Sequence, residues 1–437
     1  MEIDNTAKNI KISFDGFSKL SFTERLEKLQ QLGYISDINC LLLNGKNKLY
    51  LDLAERFIEN AIGYFELPFG VAVNFLIDGQ DYVIPMVVEE TSIIAACSKT
   101  AKWIRQHGTI ETRTVSNLSI GQIQFNRVAD YPKWAAGIEE AKPHLIEMAN
   151  DTIAKRLCER GGGLKDLKLR HIKRPDGGMM GIVHLLIDTC DAMGANSINQ
   201  ISQYLMPKLE EITQTKALMY ILSNLTDSKL TEAKITLYDI ENDVGEKIQE
   251  ASLFAQLDPY RAATNNKGIL NGIDAVLIAT GNDWRAVEAG VHAFAARNGH
   301  YASLSDWQYV DNKLIGTMQI PLSLGIVGGV TQLHPMAKLA MAMLQVNSAK
   351  QLARIIAAVG LVQNLGALKA LVTQGICPGH MKLHIDNICA AIEASEAEKK
   401  QLAIELQQHL TKSQYISNGI AHELLTKIRK NKSKINI

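Results

Sequence analysis

Three charged residues that could act on a substrate occur in one stretch of the sequence. Arg261 and Lys267 precede, and Asp283 follows, the apolar run ILNGIDAVLIAT over residues 269–280. Such a run is typical of a buried segment that carries the polar residues at its ends to one place. A lysine near a carboxylate is most often a solvated ion pair. Small and amide residues flank Lys267, however, and they would let a substrate approach the backbone closely. The stretch is therefore a candidate reaction site.

Two further groups of titratable residues lie far from this stretch. Glu89 and Glu90 stand between a predicted hairpin and a predicted helix, where carboxylates commonly cap the helix because its dipole favours negative charge. His380 and His384 are four residues apart in a predicted helical tail, a spacing that could hold a metal. The sequence offers no third ligand, so we expect no metal site.

Composition restricts the possible partners. The 437 residues carry a formal net charge of +0, with 46% hydrophobic and 21% charged residues, which is ordinary for a globular protein of two or three domains. A neutral chain has no overall field for nucleic acid or an acidic membrane, and we expect neither. The apolar stretches are too short or too interrupted for a membrane span. Six scattered cysteines without C-x-x-C or zinc-finger spacing indicate reduced thiols in a cytoplasmic protein.

The first part of the chain reads as helices around a hairpin. Residues 21–35 begin with Ser21 and Glu24 in capping-box spacing. A second helical pattern covers residues 51–64. Residues 71–76 and 82–88 flank an Asp–Gly turn and predict a hairpin, and residues 93–102 predict another helix. No G-x-G-x-x-G follows a strand, so the usual dinucleotide fold has no support.

The next part predicts a small α+β unit. Strand patterns over residues 115–125, 164–172 and 179–187 alternate with helices over 131–160, broken or restarted near Pro143, and 197–213. This order is typical of a split βαβ, or ferredoxin-like, domain. We expect an α+β protein in which the small domain, residues 113–226, is inserted into a large, mainly helical domain formed by residues 1–112 and 227–376.

The remainder is predicted to be mostly helical. Strands are expected over residues 234–238 and 313–320, and helices over 335–344, 349–359 and 367–373. Glycine and proline over residues 375–379 indicate a hinge, after which residues 377–437 would form a mobile, helical C-terminal flap that carries His380.

Six of these segments occur in the order found in one enzyme family. They are PMVVEE at 85–90, DAMGAN at 191–196, NNKG at 265–268, GND at 281–283, GIVGGVT at 325–331 and GHM at 379–381. Together they resemble 3-hydroxy-3-methylglutaryl-CoA reductases, in their soluble bacterial (class II) form, over nearly the whole chain. ENAIG at 59–63 is similar to the dimerisation motif of that family.

The resemblance implies a reaction and assigns roles to four residues. The family reduces 3-hydroxy-3-methylglutaryl-CoA to mevalonate and CoA with two NAD(P)H, in the mevalonate pathway of isoprenoid biosynthesis. Lys267 would stabilise the developing oxyanion, and His380 would protonate the CoA thiolate. Glu90 would act as the acid in aldehyde reduction, and Asp283 would couple these groups so that they titrate together.

The same matching implies binding residues. Arg261 and Asn271 would contact the hydroxymethylglutaryl group, since an arginine suits a carboxylate. The small domain would bind the nucleotide, and its contacts, with those of the glycine-rich bend, would be Asp191, Met193, Gly194, Asn196, Asn224, Gly328 and Gly329. Lys19, beside Ser18, is a candidate for the CoA phosphate.

One departure from the family concerns the cofactor. Where NADH-preferring members carry an aspartate that binds the adenine ribose, this chain has Ala154, followed by Lys155 and Arg156. Loss of the carboxylate removes repulsion against a 2′-phosphate, and the adjacent cations would attract it. We therefore expect NADPH to be preferred over NADH.

Alternatives remain at this point. The reaction could run in reverse, as catabolic oxidation of mevalonate, or the chain could be a catalytically inactive relative that binds CoA or a nucleotide. The resemblance also implies a homodimer, or a dimer-based oligomer, with the site at the subunit interface.

Overall fold

The structure is a computed structural model that describes residues 14–37, 51–373, 375, 385–413 and 415–435 of the chain. Within these ranges the strands form one two-stranded and two four-stranded antiparallel sheets. Helices surround the first two sheets and cover the third, so the α+β class predicted from the sequence is confirmed.

The N-terminal segment contains a 3₁₀ turn, Phe17–Lys19, and helix α1, Phe22–Gln31. Ser21 and Glu24 form the predicted capping box, because each side chain accepts a hydrogen bond from the backbone of the other. The helix predicted over residues 51–64 is wrong beyond its first turn, since α2 spans only Leu51–Ala54. Asn60 has a left-handed φ of 57°, which an α-helix cannot contain.

The predicted hairpin is confirmed as β1, Phe69–Ile77, and β2, Gln80–Val87. Asp78 and Gly79 take φ values of 51° and 79°, as a tight hairpin turn requires. Helix α3, Ile93–His107, follows, and β3, Gly108–Thr114, then leads towards the small domain.

The small domain is a four-stranded sheet with two long helices in βαββαβ order. Its elements are β4 (Ser119–Phe125), α4 (Tyr131–Asp151), α5 (Lys155–Cys158), β5 (Gly163–Lys173), β6 (Met179–Asp188), α6 (Ala195–Thr213) and β7 (Ala217–Ser223). The strand order β5-β6-β4-β7 is that of a ferredoxin-like fold. The break expected near Pro143 is wrong, since α4 runs through it and ends at Asp151. The limits at residues 113 and 226 stay predictions.

The chain then returns to the large domain. Its further elements are β8 (Leu230–Leu237), α7 (Asn242–Leu257), α8 (Pro259–Ala279), α9 (Trp284–Ala295), β9 (Ser305–Val310), β10 (Lys313–Pro321), α10 (Gly329–Leu333), α11 (Pro335–Leu344) and α12 (Ala349–Val372). The sheet order is β3-β8-β10-β9. Strand β9 was missed by the sequence analysis, although its SDWQYV pattern alternates.

Helix α12 is the core of the large domain. It merges the two helices predicted over residues 349–359 and 367–373, because the glycines between them serve close packing and do not break the helix. A Cβ at Gly360 would lie 2.8 Å from Ile273, and one at Gly366 would lie 2.5 Å from Thr100. By length and composition α12 could cross a membrane, but 67% of its apolar window is buried within the protein.

The C-terminal part forms its own helical cluster. Residues 385–391 are helical, and α13 (Glu396–Ser413) and α14 (Asn418–Ile435) follow. Ile388, Leu402, Leu406, Ala421 and Leu425 are buried together between these helices. The predicted hinge and His380 lie outside the described residues, apart from Gly375 at the start of the hinge.

Candidate active site

The structure brings Lys267 and Glu90 together from positions 177 residues apart in the sequence. The ammonium of Lys267, on α8, lies 3.0 Å from Oε2 of Glu90, which follows β2. Both side chains are open to solvent, at 62% and 41% exposure. An exposed ion pair contributes only about 0.2–1 kcal/mol to folding, so stability alone does not account for fixing these two charges at one place.

Helix α8 is fixed by the two asparagines that precede Lys267. Both are buried: the Asn265 amide donates to the Ser303 hydroxyl at 2.9 Å, and the Asn266 amide donates to the Ala302 carbonyl at 2.9 Å. The side-chain amide of Asn364, on α12, donates to Oδ1 of Asn265, also at 2.9 Å. The expectation that these amides open the backbone to a substrate is therefore wrong. They are core residues that hold the helix carrying the lysine.

The two residues predicted to bind the acyl group lie on the same helix. Asn271 is one turn after Lys267 and shares its face. Arg261 is six residues before Lys267, about 120° away around the helix. It is partly buried, and this desolvation lowers the pKa of its guanidinium. Asp258 begins the helix by accepting a hydrogen bond from the Arg261 backbone at 2.8 Å.

Asp283 occupies the N-cap of α9. Its Oδ1 accepts from the Ala286 backbone at 3.2 Å and lies 3.6 Å from the Arg285 guanidinium. The ion pairs of the described residues join Lys267 to Glu90 and Asp283 to Arg285, and none joins Lys267 to Asp283. Glu90, Lys267 and Asp283 were predicted to interact, and the structure thus places the first two in contact.

The glutamate pair does not cap the following helix. The N-cap of α3 is Ser92, in a left-handed conformation with φ of 74°, and no side chain bonds to its first turn. Glu89 and Glu90 are both exposed. The capping interpretation is therefore wrong, and Glu90 meets the lysine instead.

Residues 188–194 form the loop that contains most of the predicted nucleotide motif. Gly194 is the N-cap of α6 with φ of 92°, and a Cβ there would lie 2.2 Å from Thr189, so only glycine fits. The Thr189 hydroxyl donates to the Ala192 carbonyl at 2.8 Å. Asp191 uses Oδ1 to accept from the backbone of Ala349, at the start of α12, at 2.9 Å. In this structure Asp191 thus connects the small domain to the large one.

The other predicted nucleotide contacts remain accessible. Asn196 and Asn224 are exposed. Gly328 and Gly329 have φ values of 78° and 56°, and a Cβ at either would meet nothing within 4 Å. Glycine at these two positions therefore allows a left-handed bend of the backbone, and close packing does not require it. Met193 is partly buried in the 188–194 loop.

The departure at Ala154 has a clear structural setting. Ala154 is buried in the small-domain core, whereas Lys155 and Arg156, in the first turn of α5, are both exposed. The two cations are thus available to an anionic ligand at the surface.

A cleft of about 830 Å³ is lined in part by the glutamate pair. It runs between α1, the hairpin and α3, and Phe17, Phe22 and Phe69 line it together with Arg25, Lys99 and Lys102. An apolar cleft with a few cations suits a long ligand that has both apolar and anionic parts. Lys19, predicted to bind the CoA phosphate, is exposed next to Phe17.

Two buried titratable groups were missed by the sequence analysis. Lys229 is only 5% exposed, and burial lowers the pKa of its ammonium to about 8. Burial and the neighbouring carboxyl of Glu288 raise the pKa of Asp274, on α8, to about 8. No sequence pattern marks a residue as buried without an opposite charge, so neither could have been found in advance. Among the described residues no group of three or more histidine, cysteine or acidic side chains could hold a metal ion.

These features are those of an enzyme with a large and a small domain. The large domain carries an accessible lysine–glutamate pair, and the small domain is ferredoxin-like. The glycine-rich bend that contains Gly328 and Gly329 is open. The family model described as hydroxymethylglutaryl-coenzyme A reductase matches residues 21–385. The chain belongs to the hydroxymethylglutaryl-coenzyme A reductase family.

Individual relatives agree with this assignment. The 3-hydroxy-3-methylglutaryl-coenzyme A reductase of Archaeoglobus fulgidus is 43% identical over 422 residues, which cover 95% of this chain and 94% of that protein. The structure of the reductase from Streptococcus pneumoniae is 39% identical with a TM-score of 0.81, and it covers 95% of this chain and 100% of that chain. A class II structure from the same organism, bound to NADPH in open conformations, is 41% identical with a TM-score of 0.79, and covers 83% and 100%.

Proposed function

We propose that this chain reduces 3-hydroxy-3-methylglutaryl-CoA to mevalonate and CoA, in the mevalonate pathway. The balanced reaction consumes two NADPH and two protons and releases two NADP⁺ and one CoA thiol. The observation that carries the proposal is the contact of 3.0 Å between Lys267 and Glu90, since Glu90 also lines the cleft. A cation and a carboxyl side by side are what reduction of a carbonyl needs.

Lys267 stabilises negative charge on the substrate oxygen. Its ammonium is exposed and can meet a carbonyl oxygen, while the buried asparagines of α8 keep the helix from shifting. A cation already in place costs no reorganisation when the charge develops. Glu90, in contact with this ammonium, supplies a proton to the oxygen in the aldehyde step. Arg261 and Asn271 hold the acyl carboxylate and hydroxyl. From the motif match, Asp283 couples Lys267 and Glu90, although in this structure it pairs with Arg285. His380 protonates the departing thiolate by the same match.

The small domain and its junction fit a dinucleotide. The 19-residue helix α6 follows its N-cap Gly194, and no side chain of that cap bonds to its first-turn N–H groups, which suits a phosphate. Asp191, Met193, Gly194, Asn196 and Asn224, together with Gly328 and Gly329, would hold the nucleotide. The bound nicotinamide supplies the hydride. The exposed cations Lys155 and Arg156 favour NADPH through its 2′-phosphate.

The cleft beside Glu90 would hold CoA. Its aromatic and basic lining matches the pantetheine chain and the phosphates, and Glu90, which lines it, would place the thioester near Lys267. Lys19 remains our candidate for a contact with the CoA phosphate.

Product identification tests the proposal. Purified protein is incubated with 3-hydroxy-3-methylglutaryl-CoA and NADPH, and mevalonate and free CoA are measured by mass spectrometry. We expect both products, and only when both reactants are present. Failure to form mevalonate under conditions in which both ligands bind would favour the inactive binding relative. Faster turnover of mevalonate, CoA and NADP⁺ would favour the catabolic direction.

We also propose a homodimer in the cytoplasm. Ile62, in the segment similar to the family dimerisation motif, is 99% exposed, and Phe65 is 91% exposed, so a second copy of the chain would cover them. Cys97, Cys158, Cys190 and Cys389 are free thiols, which suits a reducing compartment. Sedimentation velocity at dilute concentration tests the assembly, and a fully active monomer would contradict it.

A further inference from the structure

Asn282, next to Asp283, links two loops that meet at the domain junction. Its Oδ1 accepts a hydrogen bond from the Gly325 backbone at 2.9 Å. Its Nδ2 donates to the Thr280 hydroxyl at 3.0 Å, and that hydroxyl is fully buried and itself donates to the Val276 carbonyl at 2.8 Å within α8. Both ends of the Asn282 amide are therefore used, and they tie Gly325 to the C-terminal end of the lysine helix.

Gly325 in turn touches the nucleotide-motif loop directly. A Cβ at this position would lie 2.7 Å from the Met193 backbone nitrogen and 3.3 Å from the Ala192 carbonyl carbon. The next residue, Ile326, donates its backbone N–H to the Asp191 carbonyl at 2.9 Å. The 188–194 loop thus rests on residues 325–326 by backbone contact, and Asn282 holds the first of these residues in place.

We propose that Asn282 is a positioning residue that sets the nucleotide affinity by fixing Gly325 against the 188–194 loop. The inference rests on the proposed function, since it takes residues 191–194 as nucleotide contacts. Asn282 itself touches neither the lysine nor the glutamate in this structure. It acts by fixing the position of residues 325–326, on which the 188–194 loop rests, relative to the segment that carries Asp283.

The residue type follows from the contacts. An acceptor is needed for the Gly325 N–H and a donor for the Thr280 hydroxyl, whose own proton is already used. An asparagine supplies both from one short side chain. Aspartate would keep the acceptor and lose the donor, and leucine, of nearly the same size, would lose both. Comparing these two substitutions therefore separates the effect of the hydrogen bond to Gly325 from that of the hydrogen bond to Thr280.

Binding of NADP⁺ to the full-length protein, measured by calorimetry without a second substrate, tests the proposal. We expect Asn282→Leu to raise the Kd for NADP⁺ about tenfold, the size expected from loss of the hydrogen bond to Gly325. Asn282→Asp should stay within about threefold of wild type. The KM for 3-hydroxy-3-methylglutaryl-CoA should change less than about twofold in both variants.

Gly325→Ala disturbs the same contact from the other side. If both residues act through one contact, the double variant Asn282→Leu/Gly325→Ala should bind NADP⁺ less than about threefold more weakly than the weaker single variant. A double variant whose weakening equals the product of the two single effects would contradict the proposal.

A matched control removes a comparable amide far from the junction. Gln249, on α7, accepts from the Tyr309 backbone at 2.7 Å, and Gln249→Leu should lower thermal stability without changing the Kd for NADP⁺. The proposal is overturned if Asn282→Leu leaves that Kd unchanged, or if Gln249→Leu raises it equally. Wild-type protein that binds NADP⁺ but forms no mevalonate would count against the proposed function and leave this inference intact.

Discussion

Two lysines of this protein occupy opposite kinds of environment. Lys267 is exposed and lies 3.0 Å from the Glu90 carboxylate. Lys229 is buried at the junction between the domains, where its ammonium is 3.3 Å from the Thr189 hydroxyl and 3.4 Å from the Ser119 hydroxyl. Within the described ranges no ion pair includes Lys229. Lys267 is thus exposed with a carboxylate in contact, whereas Lys229 is buried with no carboxylate within ion-pair distance among the described residues.

The difference shows how the fold separates reactivity from rigidity. Helix α8 is anchored through the buried Asn265 and Asn266, so the ammonium of Lys267 can be exposed while the helix that carries it stays fixed. At the junction, burial disfavours the charged ammonium and lowers the pKa of Lys229 to about 8. We therefore expect substitutions of Lys267 to affect turnover and substitutions of Lys229 to affect stability.

The largest expected effect is on turnover by Lys267→Ala. If Lys267 stabilises the developing oxyanion as proposed, removing its cation should lower kcat by about a thousandfold. Because the ion pair is exposed, the free energy of unfolding should change by less than about 1 kcal/mol. Steady-state kinetics and urea denaturation measure the two quantities. Lys247→Ala, which removes another exposed lysine paired with a carboxylate, is the control and should change neither.

The second effect concerns the free energy of unfolding of Lys229→Met. The ordinary lysine pKa is 10.5 and the folded value is about 8, so the unfolded chain holds more protons between these pH values. The penalty on the folded state is complete below pH 8 and disappears as the pH rises to 10.5. We expect Lys229→Met to be more stable at pH 7 by up to about 3 kcal/mol, and the gain to vanish near pH 10.5.

Charged neighbours modify this second effect. Asp188 and Cys190 raise the pKa of Lys229, and Lys350 lowers it. Urea denaturation at several pH values gives the comparison. A variant that is less stable than wild type at pH 7 would show that the buried ammonium is well compensated, and it would remove the contrast between the two lysines.

A third effect concerns Asp274, seven residues after Lys267 on the same helix face. Its pKa is raised from 3.8 to about 8 by burial and by Glu288, and its Oδ1 has no hydrogen-bond partner among the described residues. Stability from the protonated form is fully present below pH 3.8 and is lost as the pH rises through 8. Wild type should therefore lose stability relative to Asp274→Asn between pH 5 and 9. Parallel pH profiles would show that Asp274 does not titrate there.

The smallest effect tests cofactor preference. Arg156→Gln should lower kcat/KM for NADPH about fivefold and leave that for NADH nearly unchanged, because only NADPH carries the 2′-phosphate. Lys168→Gln, at an exposed position on β5, is the control. Equal losses with both nucleotides would argue for a general role of Arg156 in the small domain.

The sequence supported the fold where local patterns were strong. The capping box at Ser21, the Asp–Gly hairpin and the order of strands in the small domain were all readable from local patterns. The errors arose where tertiary contacts override local preference. Gly360 and Gly366 look like helix breakers, but the close approach of Ile273 and Thr100 makes them packing positions.

The site shows a similar division. Motif order pointed to Lys267 and Glu90, and the structure places them in contact across 177 residues of sequence. The roles of Asn265 and Asn266 were misjudged, because a buried amide network cannot be distinguished from a substrate contact by residue type. Asn282 was visible only as part of the GND motif, since its partner Gly325 is 43 residues away.

The stoichiometry of the complete reaction tests the central claim most directly. With wild-type protein and limiting 3-hydroxy-3-methylglutaryl-CoA, the NADPH consumed is followed by absorbance and the mevalonate formed by mass spectrometry. A four-electron reduction at the Lys267–Glu90 site predicts two NADPH for each mevalonate, and mevalonate formation about a thousandfold slower with Lys267→Ala. One NADPH for each substrate with release of an aldehyde, or unchanged mevalonate formation by Lys267→Ala, would contradict it.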